Sequence, residues 1–398
     1  MVNIVLFNGG RGASTIINFL KKNKNISITS IINAYDDGKS TGEIRKLFDM
    51  LGPSDIRKVQ SFYLNSDDKY YKSNYELFNY RFSKNANYSN SLSTILMFIN
   101  NEKDILNHKL NPAISKIIKN YLLIFIDELR LRDKYRKFNF NDCSLMNCIY
   151  AGAYFHHNKN LLKVIIEINK IFNINSNILP NSLEKKILVG IRKNGFILHS
   201  ESEIVNLRSN TIIDNIYLLN NSLNRKRFDK YDITKKKEIL KSKNHYPSLL
   251  SETKKAIKNA DIIIYCPGTQ HSSLYPTYVT SGIADEIYKN KSCLKLFITN
   301  IGADYESPVY IASEYILNAV RYLNYSSDKA YSPKDLINHI FINNNKMNSS
   351  KNKVEFDKDS IKALGINYSS KNFEHKKLSG YHDGKKVSEL FLKIYNNF

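Results

Sequence analysis

With 398 residues, of which 42% are hydrophobic and 24% charged, the chain has material for a large core, and its 15 glycines and 8 prolines exclude a fibrous or low-complexity polypeptide. Lys and Arg outnumber Asp and Glu by 59 to 37, a net charge of +22. The cations are scattered rather than striped along one helix, and no helix-turn-helix, zinc-finger or RNA-binding signature accompanies them. Nucleic-acid binding is therefore disfavoured, and a small polyanion fits the surplus as well. No apolar run reaches the roughly 18 residues of a membrane span and no signal-peptide pattern opens the chain, so a cytoplasmic protein is expected. Cys143, Cys148, Cys266 and Cys293 form no CxxC pair and are read as buried, reduced thiols rather than zinc ligands.

In chain order, Asn3 to Phe7 is a short apolar run broken by Gly9, Gly10 and Gly12, and Ala13 to Lys24 then has helical spacing. Ile26 to Ala34 is a second strand, ending in Asp36-Asp37-Gly38, and Ser54-Asp55 opens a further helix as a capping pair. Residues 69–140 are Lys/Asn/Tyr-rich with helical stretches at Ser91 to Ile99 and Ala113 to Leu129, a helical insertion or cap. Helical spacing returns at Ser144 to Phe155 and Leu161 to Phe172. Ile187 to Arg192 and Phe196 to Glu201 flank the Asn194-Gly195 signature of a hairpin, and Asn215 to Leu219 is a weaker strand. Asp261 to Cys266 is almost wholly β-branched or aromatic, as a buried parallel strand is, and Leu294 to Thr299 is another strand. Between them, Pro267 to Pro276 reads as a polar loop in which His271 could be a general base, although a lone loop histidine is more often an exposed bystander. From Ser326 the chain is polar, Asn-rich at Asn343 to Asn352, and supplies edge strands and a closing helix at Val387 to Tyr395.

The pattern predicts an α/β fold with a Rossmann-like, mostly parallel sheet flanked by helices. Its core comprises residues 1–68 and 141–325, with the helical insertion at 69–140 and a closing segment of the same domain at 326–398. In such sheets ligands sit beyond the carboxyl ends of the strands. The turn Asn8 to Ser14, with Gly9, Gly10, Arg11 and Gly12, offers backbone N–H groups to a phosphate. It is not a Walker A loop, and it lacks the third glycine of a dinucleotide fingerprint, although Asp36 lies near the spacing of a ribose-binding acid. These glycines could equally serve a tight turn alone.

Asp36 to Arg45 packs carboxylates, hydroxyls and cations into ten residues. Asp36 and Asp37 are candidates for holding Mg²⁺ or accepting a hydroxyl proton, and Ser40, Thr41 and Arg45 for binding phosphate oxygens. The alternative is a solvated turn with Ser40 and Thr41 capping a helix. Asp55 and Arg57 repeat the theme, and Pro267 to Ser273 is a second hydroxyl-rich segment after a strand. No Ser/His/Asp set has supporting spacing, and the His156-His157 pair lacks the spacing of a zinc helix.

Taken together, the glycine turn at Asn8 to Gly12, the run Asp36 to Arg45, Pro53 to Arg57, Ser144 to Asn147, Asp261 to Ile283 with its Cys-Pro-Gly-Thr, and the strand ending at Asn300 resemble the family of 2-phospho-L-lactate transferase (CofD) and the YvcK gluconeogenesis factors. The run Asp36 to Arg57 is more similar to the YvcK branch. The resemblance implies a nucleotide diphosphate bound at Gly9, Gly10, Arg11, Gly12, Gly268, Thr269 and Asn300, with Asn147 as a further binding residue. It also implies either a phospholactyl-type transfer to an acceptor hydroxyl with Mg²⁺ or the binding of UDP-sugars. The expected partners are a nucleoside diphosphate or nucleotide-sugar and a small-molecule acceptor, with homodimerisation left open. Asn8 and Lys39 stand where the family has glycines and Arg11 where it has threonine, and the cations at Arg11 and Lys39 suit a diphosphate.

Overall fold

The structure, a computed structural model, describes residues 1–132, 136–344 and 353–398. Parts of two expected segments, the insertion at 133–135 and the Asn-rich run from 345 to 352, lie outside the described residues. The chain divides into two compact units, one made of residues 1–35 and 179–398, the other of 36–178.

The first unit is built on a seven-stranded parallel sheet. Among the described residues there are ten strands: β1 (Val2–Phe7), β2 (Ile26–Ile32), β3 (Asn177–Pro180), β4 (Ile187–Arg192), β5 (Ile197–Leu198), β6 (Ile213–Leu219), β7 (Ile262–Tyr265), β8 (Leu294–Ile298), β9 (His339–Asn343) and β10 (Asn367–Lys371). The large sheet has the order β10-β9-β8-β7-β1-β2-β3. Every residue of β7 and β8 is buried, Lys295 of β8 included, as expected of largely apolar strands covered on both faces. The chain first builds outward from β1 through β2, then returns to the other side of β1 with β7. The order therefore reverses between β1 and β7, which pair in parallel from Ile4 opposite Ile262 to Phe7 opposite Tyr265. That reversal splays the connections apart and opens a crevice at the carboxyl ends.

The same unit carries a small antiparallel sheet, β5-β4-β6, with its own core of Val189, Ile191, Ile197, Tyr217, Leu219, Phe228 and Leu240. The Asn194-Gly195 hairpin forms, but its second strand is only Ile197–Leu198 instead of Phe196 to Glu201. Ser200 accepts the Glu203 N–H and starts a helix there, Glu201–Asn206. The polar loop expected from Pro267 is also helical: Gln270–Leu274 forms one wide turn running into Tyr275–Tyr278, all of it buried. A polar segment can go inside because its hydroxyls bond to one another and to a carboxyl.

The second unit is helical and contains the expected insertion, residues 69–140, within wider limits of 36 to 178. At its centre the helix Leu145–His156 is buried from Leu145 to Tyr154. Phe48, Phe125, Phe138 and Phe140 form an aromatic cluster in this unit. A Cβ at Gly152 would collide with the backbone carbonyl of Tyr121 in the helix Pro112–Arg132. Gly152→Ala should improve helix propensity by somewhat under ~1 kcal/mol, but the clash is with backbone, so overpacking of about 1–3 kcal/mol wins. The expected result is a lower urea midpoint at unchanged slope; an unchanged midpoint would show that the two helices separate at little cost.

Candidate functional site

Four strand ends in the sheet unit converge on one place. After β1, Asn8 is buried, and its Oδ1 accepts the Gly10 N–H at 2.8 Å. Gly10 has φ of 113°, a conformation that side-chain-bearing residues rarely adopt. Gly12 lies so close to the Pro267 carbonyl that any Cβ would overlap it, and a Cβ on Gly9 would meet the Cβ of Ser273. After β8, Asn300 clamps the loop that follows β7: its Oδ1 accepts the Gly268 N–H at 2.9 Å, and its Nδ2 donates to the Gly268 carbonyl at 3.0 Å. Asn33, after β2, donates to the Ser273 carbonyl at 2.6 Å.

Gly9, Gly10, Gly12, Gly268, Thr269 and Asn300 are thus brought together, with Arg11 exposed at the turn. Two backbone donors expected to meet a phosphate, Gly10 N–H and Gly268 N–H, are instead bonded within the protein. What the turn offers in their place is the buried Asn8 Nδ2, which has no hydrogen-bond partner, and the hydroxyls of Thr269, Ser272 and Ser273.

His271 is not the exposed bystander that its loop position suggested. Its ring is buried against Tyr275, Tyr310 and Tyr322, and burial, then the nearby Arg321 and Arg192, drives its pKa down to about 3. Glu306 and Asp304, after β8, are the acids that sequence reasoning passed over. Burial, reinforced by Asp304, raises Glu306 to about 8, and burial also raises Asp304. The available signal was two acids in a loop following a largely apolar strand.

The other candidate residues cluster in the helical unit. Asp36 is engaged through both carboxylate oxygens, accepting the Gly38 N–H and the Thr41 hydroxyl, each at 2.9 Å. Arg45 donates to the Asp36 carbonyl at 3.1 Å. Ser40 and Thr41 do not cap a helix: both lie inside Lys39–Phe48, whose N-cap is Gly38. Ser54 also provides no cap, since its hydroxyl is turned to Thr41 and to Asn147 Nδ2. Asn147 Nδ2 reaches Ser40 as well, at 3.0 Å, while the buried Asn147 Oδ1 and Ser144 Oγ have no partner.

Arg57 is buried, donates to the Phe78 carbonyl and leaves Nε unpaired; burial, then Arg81, lowers its pKa to about 10. Burial also raises the Asp55 pKa, opposed by Lys58 at 3.0 Å. Asp37 is half-buried at the start of this run. Among the described residues no group of three or more His, Cys, Asp or Glu is gathered for a metal. Asp36 and Asp37 therefore fit Mg²⁺ only in the manner where one or two carboxylates share the ion with phosphates and water. The four cysteines are free and buried, with Cys143 and Cys148 Sγ 3.8 Å apart.

The family model described as 2-phospho-L-lactate transferase CofD matches residues 4–374. A gluconeogenesis factor of Listeria monocytogenes is 26% identical over 298 residues, covering 75% of this chain and 66% of that protein, just under two thirds of its length. The Bacillus subtilis gluconeogenesis factor is 23% identical over 98% of this chain and 97% of its own. The crystal structure of a UPF0052 family member from Bacillus halodurans superposes with a TM-score of 0.68 at 22% identity, covering 98% of each chain, and shows the same fold. Among the described residues no helix is long and apolar enough to cross a membrane.

The burial of His271 predicts a pH dependence. Its folded pKa lies below the 6.5 of the unfolded chain, so the unfolded state takes up the proton first and stability is lost as pH falls below about 6. His271→Phe keeps an aromatic ring among the tyrosines and removes that proton. Relative to this variant, the parent should lose about 1.4 kcal/mol for each pH unit below about 6 in chemical denaturation. Parallel profiles would show that His271 does not titrate on unfolding.

Proposed function

This chain belongs to the CofD family, and from that premise we propose that it is a transferase moving a phosphorylated group, of the 2-phospho-L-lactate type, from a nucleoside diphosphate donor to an acceptor hydroxyl. The observation that carries this reading is the strand-end site. At the switch point between β1 and β7, a glycine turn with no room for side chains lies against Pro267 and is lined by an unpartnered Asn8 amide and three hydroxyls. Such a surface suits phosphate oxygens.

In this reading the acceptor oxygen bonds to phosphorus, the bond from phosphorus to the bridging oxygen of the nucleotide breaks, and the nucleotide leaves with that electron pair. The acceptor proton passes to Asp37. Positioning and charge neutralisation account for most of the catalysis in such transfers. Mg²⁺, when bound with Asp36 and Asp37, supplies positive charge to the phosphates.

A second reading, a non-catalytic nucleotide-sugar-binding regulator, is supported by the relatives named gluconeogenesis factor and by the engagement of both Asp36 oxygens in its own turn. Thermal-shift and calorimetric titration with GDP, UDP and UDP-sugars, with and without Mg²⁺, separates the two. Nucleotide binding with turnover supports the transferase, metal-independent UDP-sugar binding without turnover supports the regulator, and no stabilisation by any nucleotide removes both. In the transferase, Asp37→Asn should keep nucleotide affinity and lower turnover roughly 10²–10⁴-fold; transfer at the parent rate would remove Asp37 from the mechanism. Gly10→Val, which forces a β-branched residue to φ of 113°, should abolish nucleotide binding on protein whose circular dichroism is unchanged.

A further inference from the structure

Glu306 is joined to the glycine turn by a chain of hydroxyls. It is buried, as are Ser272 and Ser273. The Ser272 N–H reaches its Oε2 at 2.9 Å, and the Ser272 hydroxyl lies 2.5 Å from Oε1. Ser272 Oγ is 3.1 Å from Thr269 Oγ1, which is 2.9 Å from Ser273 Oγ. Ser273 in turn lies against Gly9 closely enough that a Cβ there would collide with it.

Each hydroxyl has a single hydrogen to give, so the direction of the whole chain follows from the end that has no choice. An ionised Glu306 can only accept. Ser272 then donates to it, and keeping the other two links requires Thr269 to turn to Ser272 and Ser273 to Thr269, the reverse of the placed sense from Ser272 to Thr269 to Ser273, which leaves Ser273 presenting lone pairs to the turn. A protonated Glu306 donates to Ser272, every link reverses, and Ser273 presents its hydrogen.

Building on the nucleotide-binding reading of this site, we propose that Glu306 is a positioning residue. When protonated, it turns the hydroxyl chain so that Ser273 donates to a phosphate oxygen at the glycine turn; when ionised, it withdraws that donor. Asp304, on the same loop, adds repulsion to burial and holds the Glu306 pKa at about 8, while the Ser272 hydroxyl and the N–H groups of Ser272 and His271, from the segment after β7, favour ionisation. From the helix Ala312–Leu323, Tyr315 senses Asp304 and Arg321 bears on the neutral His271. Both protonation states of Glu306 are therefore available near neutral pH.

The test is calorimetric titration of the full chain with GDP and UDP between about pH 7 and 9, a range in which the terminal phosphate, ionising near 6, keeps its charge. Parent affinity should fall about tenfold, as the protonated fraction falls from roughly nine tenths to one tenth. Glu306→Gln, whose amide always donates to Ser272, should hold the pH 7 affinity across the range. Ser273→Ala should bind about tenfold more weakly at pH 7 with a flat profile. A flat parent profile, or an unaltered decline in Glu306→Gln, overturns the proposal and leaves the nucleotide reading standing. If Glu306→Gln fails to fold, a parent-like decline in Ser273→Ala overturns it alone. A parent that binds no nucleotide at any pH overturns both.

Discussion

No side chain fits between Gly12 and the carbonyl of Pro267, and the site in the sheet unit depends on that backbone-to-backbone approach. β1 and β7 are neighbours in register, so the segments leaving their carboxyl ends must either diverge or touch. Here they touch, because the first is glycine where contact is made. Once the turn rests on Pro267, Gly268 falls within reach of Asn300 from β8, and Ser273 falls against Gly9. A carbonyl that cannot be displaced thus sets the position of hydroxyls contributed by a segment more than 250 residues later in the chain.

Polar groups inside this unit are organised by the same economy of donors and acceptors. Asn300 satisfies both the N–H and the carbonyl of Gly268, and Asp304 takes the N–H groups of Glu306 and Ser307. Backbone groups in irregular loops would otherwise be left without partners, at a cost comparable to a lost hydrogen bond each. The side chains that tie the loops down are short and have few rotamers, so the geometry is held with little loss of conformational entropy. In the helical unit Ser40, Thr41, Ser54 and Asn147 form a comparable network, in which the leftover polar atoms, Asn147 Oδ1 and Ser144 Oγ, mark where it is incomplete.

Much of the sheet was legible in the sequence because buried parallel strands are predominantly apolar, as Ile262–Tyr265 is throughout and Leu294–Ile298 is apart from Lys295. The glycine turn was legible because glycines directly after a strand have few other uses. Capping, expected at Ser54 and the alternative at Ser40 and Thr41, does not occur: residue type signals a cap, but the hydroxyls at these positions answer to Asp36, Asn147 and each other, which lie in other turns and another helix. His271 and Glu306 were hidden for a related reason. A histidine in a polar run looks solvated until three tyrosines from 275 to 322 are seen around it, and nothing local to Glu306 announces a serine 34 positions earlier.

The outermost strand on one side, β10, differs from its neighbours in being no more than half-buried along its length, and its sequence is Asn-Tyr-Ser-Ser-Lys. Its outer row of peptide groups is a template that another chain could extend. Polar residues with a terminal lysine give an incoming strand little apolar surface to cover and a charge to bury. The composition of this margin therefore guards it, since an edge that could nucleate intermolecular β-aggregation is made unrewarding to join.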